Sequence, residues 1–273
     1  MGRTKAPWGK SFFPISHVRK SESSAAPPAQ GSRALYFMDN FFRTMQYGPR
    51  KIAVTGHFGS GKTEFAVSLA FALAKCGLTE RLSLCDLDIE NPYFRSRERG
   101  EALENAGIRT HSDPSGGRNG SELQTISASI RAPLEDEGCR VILDCGGDNT
   151  GAMVLNQFSK YFTTGTYQLL CVVNCNRPGT DTPEKAAAHI RAIEETTGLT
   201  VTGLISNAHL IRYTTAETVL EGWEFTKKVE ALTAVPALCA CCMESIVPQV
   251  ENRGFDVFPI GMYMRESYLD KQV

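Results

Sequence analysis

The amino-acid sequence predicts an α/β fold, a doubly wound and mainly parallel sheet with helices on both faces. Three observations carry that expectation. Short apolar runs such as Val141-Ile142-Leu143 and Leu169-Leu170-Cys171-Val172-Val173 lack strict alternation, which places both faces of their strands in the interior. The runs alternate with segments of helical period, as right-handed strand–helix–strand crossovers require. A glycine-rich turn joins the first strand to the helix that follows it.

In chain order, Lys51-Ile52-Ala53-Val54-Thr55 reads as the first strand. Phe65, Leu69, Leu73 and Cys76 then recur on one helical face, and Gly77 suits the stop. Arg81–Cys85, Arg140–Leu143, Tyr167–Val173 and Val201–Ser206 read as further strands. Thr182-Pro183 supplies an N-cap and a proline at the first helical position, opening a helix to about Thr197. Thr214-x-x-Glu217 has the form of a capping box opening a helix through roughly Val229. Ala234–Leu238 and Asp256–Ile260 are the last expected strands. Residues 49–273 are read as one domain without internal repeats.

Composition removes several function classes. The formal charge is −1, so no global basic field exists to hold DNA or an acidic membrane. No window approaches the roughly 18 consecutive apolar residues of a spanning helix. Nine cysteines, an odd number in a long chain, argue for a reducing compartment and a cytoplasmic protein. Residues 1–48 carry seven basic and two acidic residues, which leaves the rest of the chain acidic by six. The stretch Ser21-Glu22-Ser23-Ser24-Ala25-Ala26-Pro27-Pro28 has little to bury, and residues 1–48 are expected to form a disordered basic tail. The tail reads as functionally inert; a targeting arm, or sequence upstream of a start at Met38 or Met45, are the alternatives.

Gly56-His57-Phe58-Gly59-Ser60-Gly61-Lys62-Thr63 fits G-x-x-x-x-G-K-[ST] between a β-branched strand and an amphipathic helix. Glycines allow successive N–H groups to converge on phosphate oxygens, and the helix N-terminus adds partial positive charge. Lys62 is expected to neutralise the β- and γ-phosphates, and the Thr63 hydroxyl to ligate Mg²⁺. Asp86 and Asp88 end one strand, and Asp144 ends another in the D-x-x-G form Asp144-Cys145-Gly146-Gly147. Ligands in open α/β sheets bind at the carboxyl ends of strands, so these acids are expected to converge on the same site. Thr63, Asp86 and Asp144 form the candidate Mg²⁺ set, with Asp144 acting through water. Asp88, supported by Asp86, is the candidate for orienting the attacking water. The Gly147 N–H is placed near the γ-phosphate, on the argument that only glycine permits the close approach.

With Asp86-Leu87-Asp88-Ile89-Glu90-Asn91-Pro92, Val172-Val173-Asn174-Cys175-Asn176-Arg177-Pro178 and Gly203-Leu204-Ile205-Ser206-Asn207, these motifs resemble the MinD/ParA/CobQ branch of P-loop NTPases, the SIMIBI class. Within it, the chain is most similar to bacterial MinD-like ATP-binding proteins. The resemblance covers roughly residues 50–260 and implies ATP, Mg²⁺ and slow hydrolysis used as a conformational switch. It also implies that Asn207 lies where the family reads the adenine base, with Pro236 in the loop beside it.

The chain departs from the family at two positions. The family's second lysine, which reaches across a nucleotide-sandwiched dimer, is replaced by His57, and a family glycine by Phe58. The departure argues against membrane cycling and DNA partition and leaves a homodimer open. The loop then looks equally like that of nickel-handling GTPases. Asn207-Ala208-His209-Leu210 lacks the N-K-x-D carboxylate that reads guanine, so ATP is the expected nucleotide. Polyphosphate favours a charged imidazole, so His57 is expected to contact phosphate, against the plainer reading of a partly exposed loop residue.

The leading function is therefore an ATP-binding switch with slow Mg²⁺-dependent hydrolysis, acting on a protein client or small-molecule substrate. One alternative is an ATP-dependent synthetase or small-molecule kinase of the cobyrinate or dethiobiotin type, with Arg95 or Arg177 holding a substrate carboxylate. Another is a metal-delivery chaperone using Cys239 and Cys242, although one C-x-x-C pair supplies too few ligands for a tetrahedral site and buried core thiols are the plainer reading. Tyr93, Phe94 and Arg97 are read as core, partner-surface or anion-binding residues.

Overall fold

The computed structural model of the protein describes residues 40–78, 80–88, 99–111, 122–147 and 149–264. Residues 1–39 of the expected tail lie outside the described residues, as do Tyr93, Phe94, Arg95, Arg97 and Asp148. The elements are α1 (Phe41–Tyr47), β1 (Lys51–Thr55), α2 (Lys62–Lys75), β2 (Arg81–Leu87), α3 (Gly100–Asn105), β3 (Ile108–His111), α4 (Glu122–Glu135) and β4 (Cys139–Cys145). They continue with α5 (Asn149–Asn156), β5 (Tyr167–Val173), α6 (Pro183–Thr197), β6 (Gly203–Ser206), α7 (Ala216–Thr233), β7 (Ala237–Met243), α8 (Val247–Val250) and β8 (Val257–Ile260).

Among the described residues, eight strands form one parallel sheet in the order β3-β2-β4-β1-β5-β6-β7-β8. Alternate residues of each strand feed different cores. Ile52, Val54, Leu84, Ile142 and Val172 pack with α1, α2 and α3, while Ala53, Cys85, Leu143 and Cys171 pack with α4, α5, α6 and part of α7. Burial on both faces is why these strands read as unbroken apolar runs. The strand order reverses about β1, which opens a crevice at its carboxyl end.

Several expected elements form with the expected ends. Thr182 accepts a hydrogen bond from Lys185 N–H at 3.3 Å and starts α6, and Gly198 closes it in the left-handed region at φ 68°. The capping box of α7 lies one residue later than expected, with Thr215 and Thr218 bonding reciprocally, because the Thr214 hydroxyl accepts from Leu210 N–H at 2.8 Å. The strand expected at Ala234–Leu238 begins only at Ala237, because Ala234 adopts φ 60° to end α7. The Cys239-Ala240-Cys241-Cys242 run therefore lies within β7. Cys239 and Cys241 face the α2 side and Cys242 the α8 side. Thiols on opposite faces of a strand cannot chelate one ion, which removes the residue pair behind a metal-delivery role.

The folded part begins earlier than residue 49. In α1, Phe41, Phe42 and Met45 are buried against the sheet. The Phe41, Phe65 and Phe258 rings meet at centroid distances of 5.4–6.2 Å. The buried Arg140 side chain then closes the helix: Nη1 donates to the Met45 carbonyl at 2.8 Å and the Pro49 carbonyl at 3.1 Å, while Nε donates to Glu80 at 2.9 Å. A seven-residue helix has too few periodic positions to stand out in sequence, and its stability comes from these distant partners.

Candidate functional site

The turn from β1 into α2 forms the cradle that its sequence implies. Gly56 and Gly61 take φ 151° and 88°, a region costly for residues with a Cβ, and Gly61 caps α2. Lys62 and Thr63, the first residues of α2, are buried. Arg177, just beyond β5, donates from Nε to the Gly59 carbonyl at 2.7 Å and braces the outer lip of the turn. Asn207, at the end of β6, donates from Nδ2 to the Ser60 carbonyl at 2.8 Å. Its Oδ1 remains buried without a hydrogen-bond partner.

Three carboxylates flank Lys62. Its Nζ lies 2.7 Å from Asp88 Oδ2, with 5% and 4% of the two side chains exposed. Asp86 sits directly opposite Asp144 in the β2–β4 register, and Asp86 Oδ1 accepts from Asp88 N–H at 3.1 Å. Complete burial pushes the Asp144 carboxyl up to about 8, helped by the Asp86 and Asp88 charges and opposed by Lys62 and the Thr63 hydroxyl. Thus the predicted convergence of Lys62, Thr63, Asp86, Asp88 and Asp144 is realised.

The donor set fits Mg²⁺. Neither Asp144 oxygen meets a donor at good hydrogen-bond geometry, and a hydroxyl beside carboxylates suits a hard, oxygen-seeking cation. Among the described residues no group of three His, Cys, Asp or Glu side chains forms a metal cage.

Beside Lys62 a cavity of about 160 Å³ opens. The turn from Gly59 to Glu64 lines its polar end, with Asn174, Arg177 and Asn207. Ile211, Ile260, Met262 and Met264 line the far end and make it apolar. Asp86, Asp88 and Asp144 do not border this cavity, so the arrangement separates a phosphate-and-metal side from an apolar slot.

The structure also places three further expected residues. The His57 imidazole lies against Gly179, where a Cβ would lie 2.2 Å from Nε2, and packs edge-on to His189 at 5.4 Å. Pro236 lies at the wrong end of the sheet: its carbonyl accepts from Leu204 N–H at 2.8 Å, near the amino end of β6. Asn207 is three residues further on, about 10 Å along the strand. At Gly147 a Cβ would lie 1.7 Å from the Gly56 carbonyl oxygen, so the position needs glycine. It lets the β4 turn pack on the phosphate cradle. Glu64, Met262 and Met264 were not singled out from sequence, because their role depends on a segment almost 200 residues distant.

With β1 at its centre and a phosphate-type turn leading into α2, this is an α/β fold of the P-loop NTPase kind. No protein-family model matches the sequence, and no curated protein is significantly similar to it. Among solved structures, it is similar to FtsY from Mycoplasma mycoides in two crystal forms. Those pairs show 14% and 13% identity and TM-scores of 0.46 and 0.48, over 68% and 71% of this chain. The aligned part spans only 57% and 60% of those proteins. It is also similar to the cell division protein FtsY from Thermotoga maritima, at 19% identity and TM-score 0.47, over 77% of this chain and 68% of that one.

Proposed function

We propose that the protein binds a nucleoside triphosphate, preferably ATP, with Mg²⁺, and hydrolyses it slowly as a conformational switch. The observation that carries this reading is the buried Lys62–Asp88 ion pair at the mouth of the glycine turn, beside Asp144 and Thr63. Phosphoryl transfer to water requires positioning and charge neutralisation rather than covalent chemistry, and this set supplies both. The backbone N–H groups of the turn and Lys62 take the phosphates. Thr63, with Asp144 and Asp86 through water, would hold Mg²⁺, which neutralises developing charge on the phosphate oxygens. When phosphate draws Lys62 away, Asp88 becomes available to orient water. Arg177 adds a cation at the turn's lip from within the same chain. For base choice, a guanine reader would need a carboxylate three residues after Asn207, at the position held by Leu210.

Equilibrium titration with ATP, ADP and GTP, with and without Mg²⁺, tests the reading alongside phosphate release. Lys62→Ala is expected to abolish binding. Retained ATP affinity in that variant would falsify it.

A further inference from the structure

The segment that follows β8 is fastened to α2 at three places on one helix face. Gly261 N–H donates to Ser68 Oγ at 3.0 Å. Tyr263 and Met264 N–H donate to the two carboxylate oxygens of Glu64 at 2.6 and 3.1 Å. The Tyr263 ring stacks on Phe71 at 4.5 Å and an interplanar angle of 30°. Glu64, Ser68 and Phe71 are spaced i, i+4 and i+7, so they form one stripe along α2. A Cβ on Gly261 would lie 2.2 Å from the Tyr263 ring, so the ring can fold back only over a glycine. These fastenings hold Met262 and Met264 in the cavity wall, which Ile260 and Asn207 also line.

We propose that Glu64 is a positioning residue for base recognition: it holds Gly261–Met264 as the wall on which a purine ring is seated. The inference rests on the nucleotide reading above and adds the base-binding determinant that Pro236 does not provide. Two N–H groups bonded to one carboxylate make a charge-assisted clamp, stronger than neutral bonds. Methionine side chains suit the contact, since polarisable thioethers pack favourably on aromatic rings. Glu64 immediately follows Thr63, so the helix that receives the phosphates also sets where the base wall stands. The distance from phosphate cradle to base slot is thereby built into one rigid element.

The test is titration of the full chain with Mg-ATP, Mg-GTP and inorganic tripolyphosphate. Glu64→Ala is expected to weaken ATP about tenfold, equivalent to about 1.4 kcal/mol, while tripolyphosphate affinity stays within about twofold of wild type. Glu64→Gln keeps one acceptor and is expected to lose less. Met262→Ala, which leaves the clamp intact, is expected to reproduce the ATP-only loss and carries the test if Glu64→Ala folds poorly. Equal weakening of ATP and tripolyphosphate, or an unchanged ATP affinity, overturns the role of Glu64. A wild-type chain that binds neither compound overturns the nucleotide reading itself.

Discussion

Asp88→Asn probes the ion pair at the centre of the site. Lys62 Nζ and Asp88 Oδ2 are 2.7 Å apart and both side chains are about 95% buried. At an effective dielectric of about 20, two unit charges at that separation attract by roughly 6 kcal/mol, an upper figure before desolvation is counted. Measured couplings between close buried charges begin near 1.5 kcal/mol. Phosphate must compete with Asp88 for the same ammonium group. Removing the competitor while keeping its shape is therefore expected to tighten ATP binding about 10- to 100-fold, at about 1.4 kcal/mol per decade. The unliganded protein should suffer, because buried Lys62 loses its nearest counter-charge and keeps only Asp86 and Asp144 nearby, at a cost of up to about 3–5 kcal/mol. For a fold of this size each kcal/mol lowers Tm by roughly 2–4 °C. The assay combines ATP titration, melting with and without Mg-ATP, and single-turnover phosphate release. The expected signature is tighter binding, a lower unliganded Tm, a larger ligand-induced rise and slower release. Weaker or unchanged ATP affinity would refute the competition argument, and unchanged turnover would refute the water-orienting role of Asp88.

Arg177→Ala should weaken ATP and tripolyphosphate alike in a titration, because it frees the Gly59 carbonyl and removes a cation from the lip. His57→Ala should leave ATP affinity within about twofold of wild type, since the ring faces Gly179. Gly147→Ala, which forces a Cβ to within 1.7 Å of the Gly56 oxygen, should cost about 3 kcal/mol or more in denaturant unfolding and disable the cradle. Phe41→Ala should cost about 3–5 kcal/mol by the same measurement; a chain beginning at Met45 should be destabilised at least as much, whereas one beginning at Met38 keeps the aromatic cluster.

Proton linkage supplies a separate check on the metal side. Asp144 titrates near 8 when folded, against 3.8 as its ordinary value. Between those limits the folded, metal-free chain holds more protons than the unfolded one, so this group's contribution to stability falls as pH rises and levels off above about 8. Mg²⁺ with nucleotide requires the carboxylate, so binding should release close to one proton near neutral pH and stabilise the protein more as pH increases. Asp144→Asn should remove both the slope and the proton release. Calorimetry in two buffers of different ionisation enthalpy measures that release, and a value near zero would refute the assignment.

What could be read from sequence and what could not divides along the range of the interactions. The glycine turn, Lys62 and Thr63 were legible because backbone conformation and phosphate chemistry are both encoded within eight consecutive residues. β1, β5 and α6 were legible with their ends, since a doubly buried strand and a Thr-Pro start are local patterns. α1 and β3 escaped because their stability is borrowed. Phe41 needs Phe65 and Phe258, and Ile108–His111 is a four-residue strand that, among the described residues, pairs only with β2.

The same division explains the error at the site. Pro236 was placed by resemblance, without the parallel register that puts it beside Leu204. Gly147 reads from sequence as a position that needs glycine for a close approach, and the Gly56 carbonyl oxygen lies 1.7 Å from where its Cβ would be. That contact has a physical consequence: the β4 turn and the phosphate cradle touch directly, with no side chain between them. A shift of the cradle around a γ-phosphate must then move the Asp144–Gly147 turn or open a gap of van der Waals size. A well-packed interior resists the gap. The backbone contact is thus one direct mechanical link between the cradle and the turn that carries Asp144, and Gly147→Ala tests it at its tightest point.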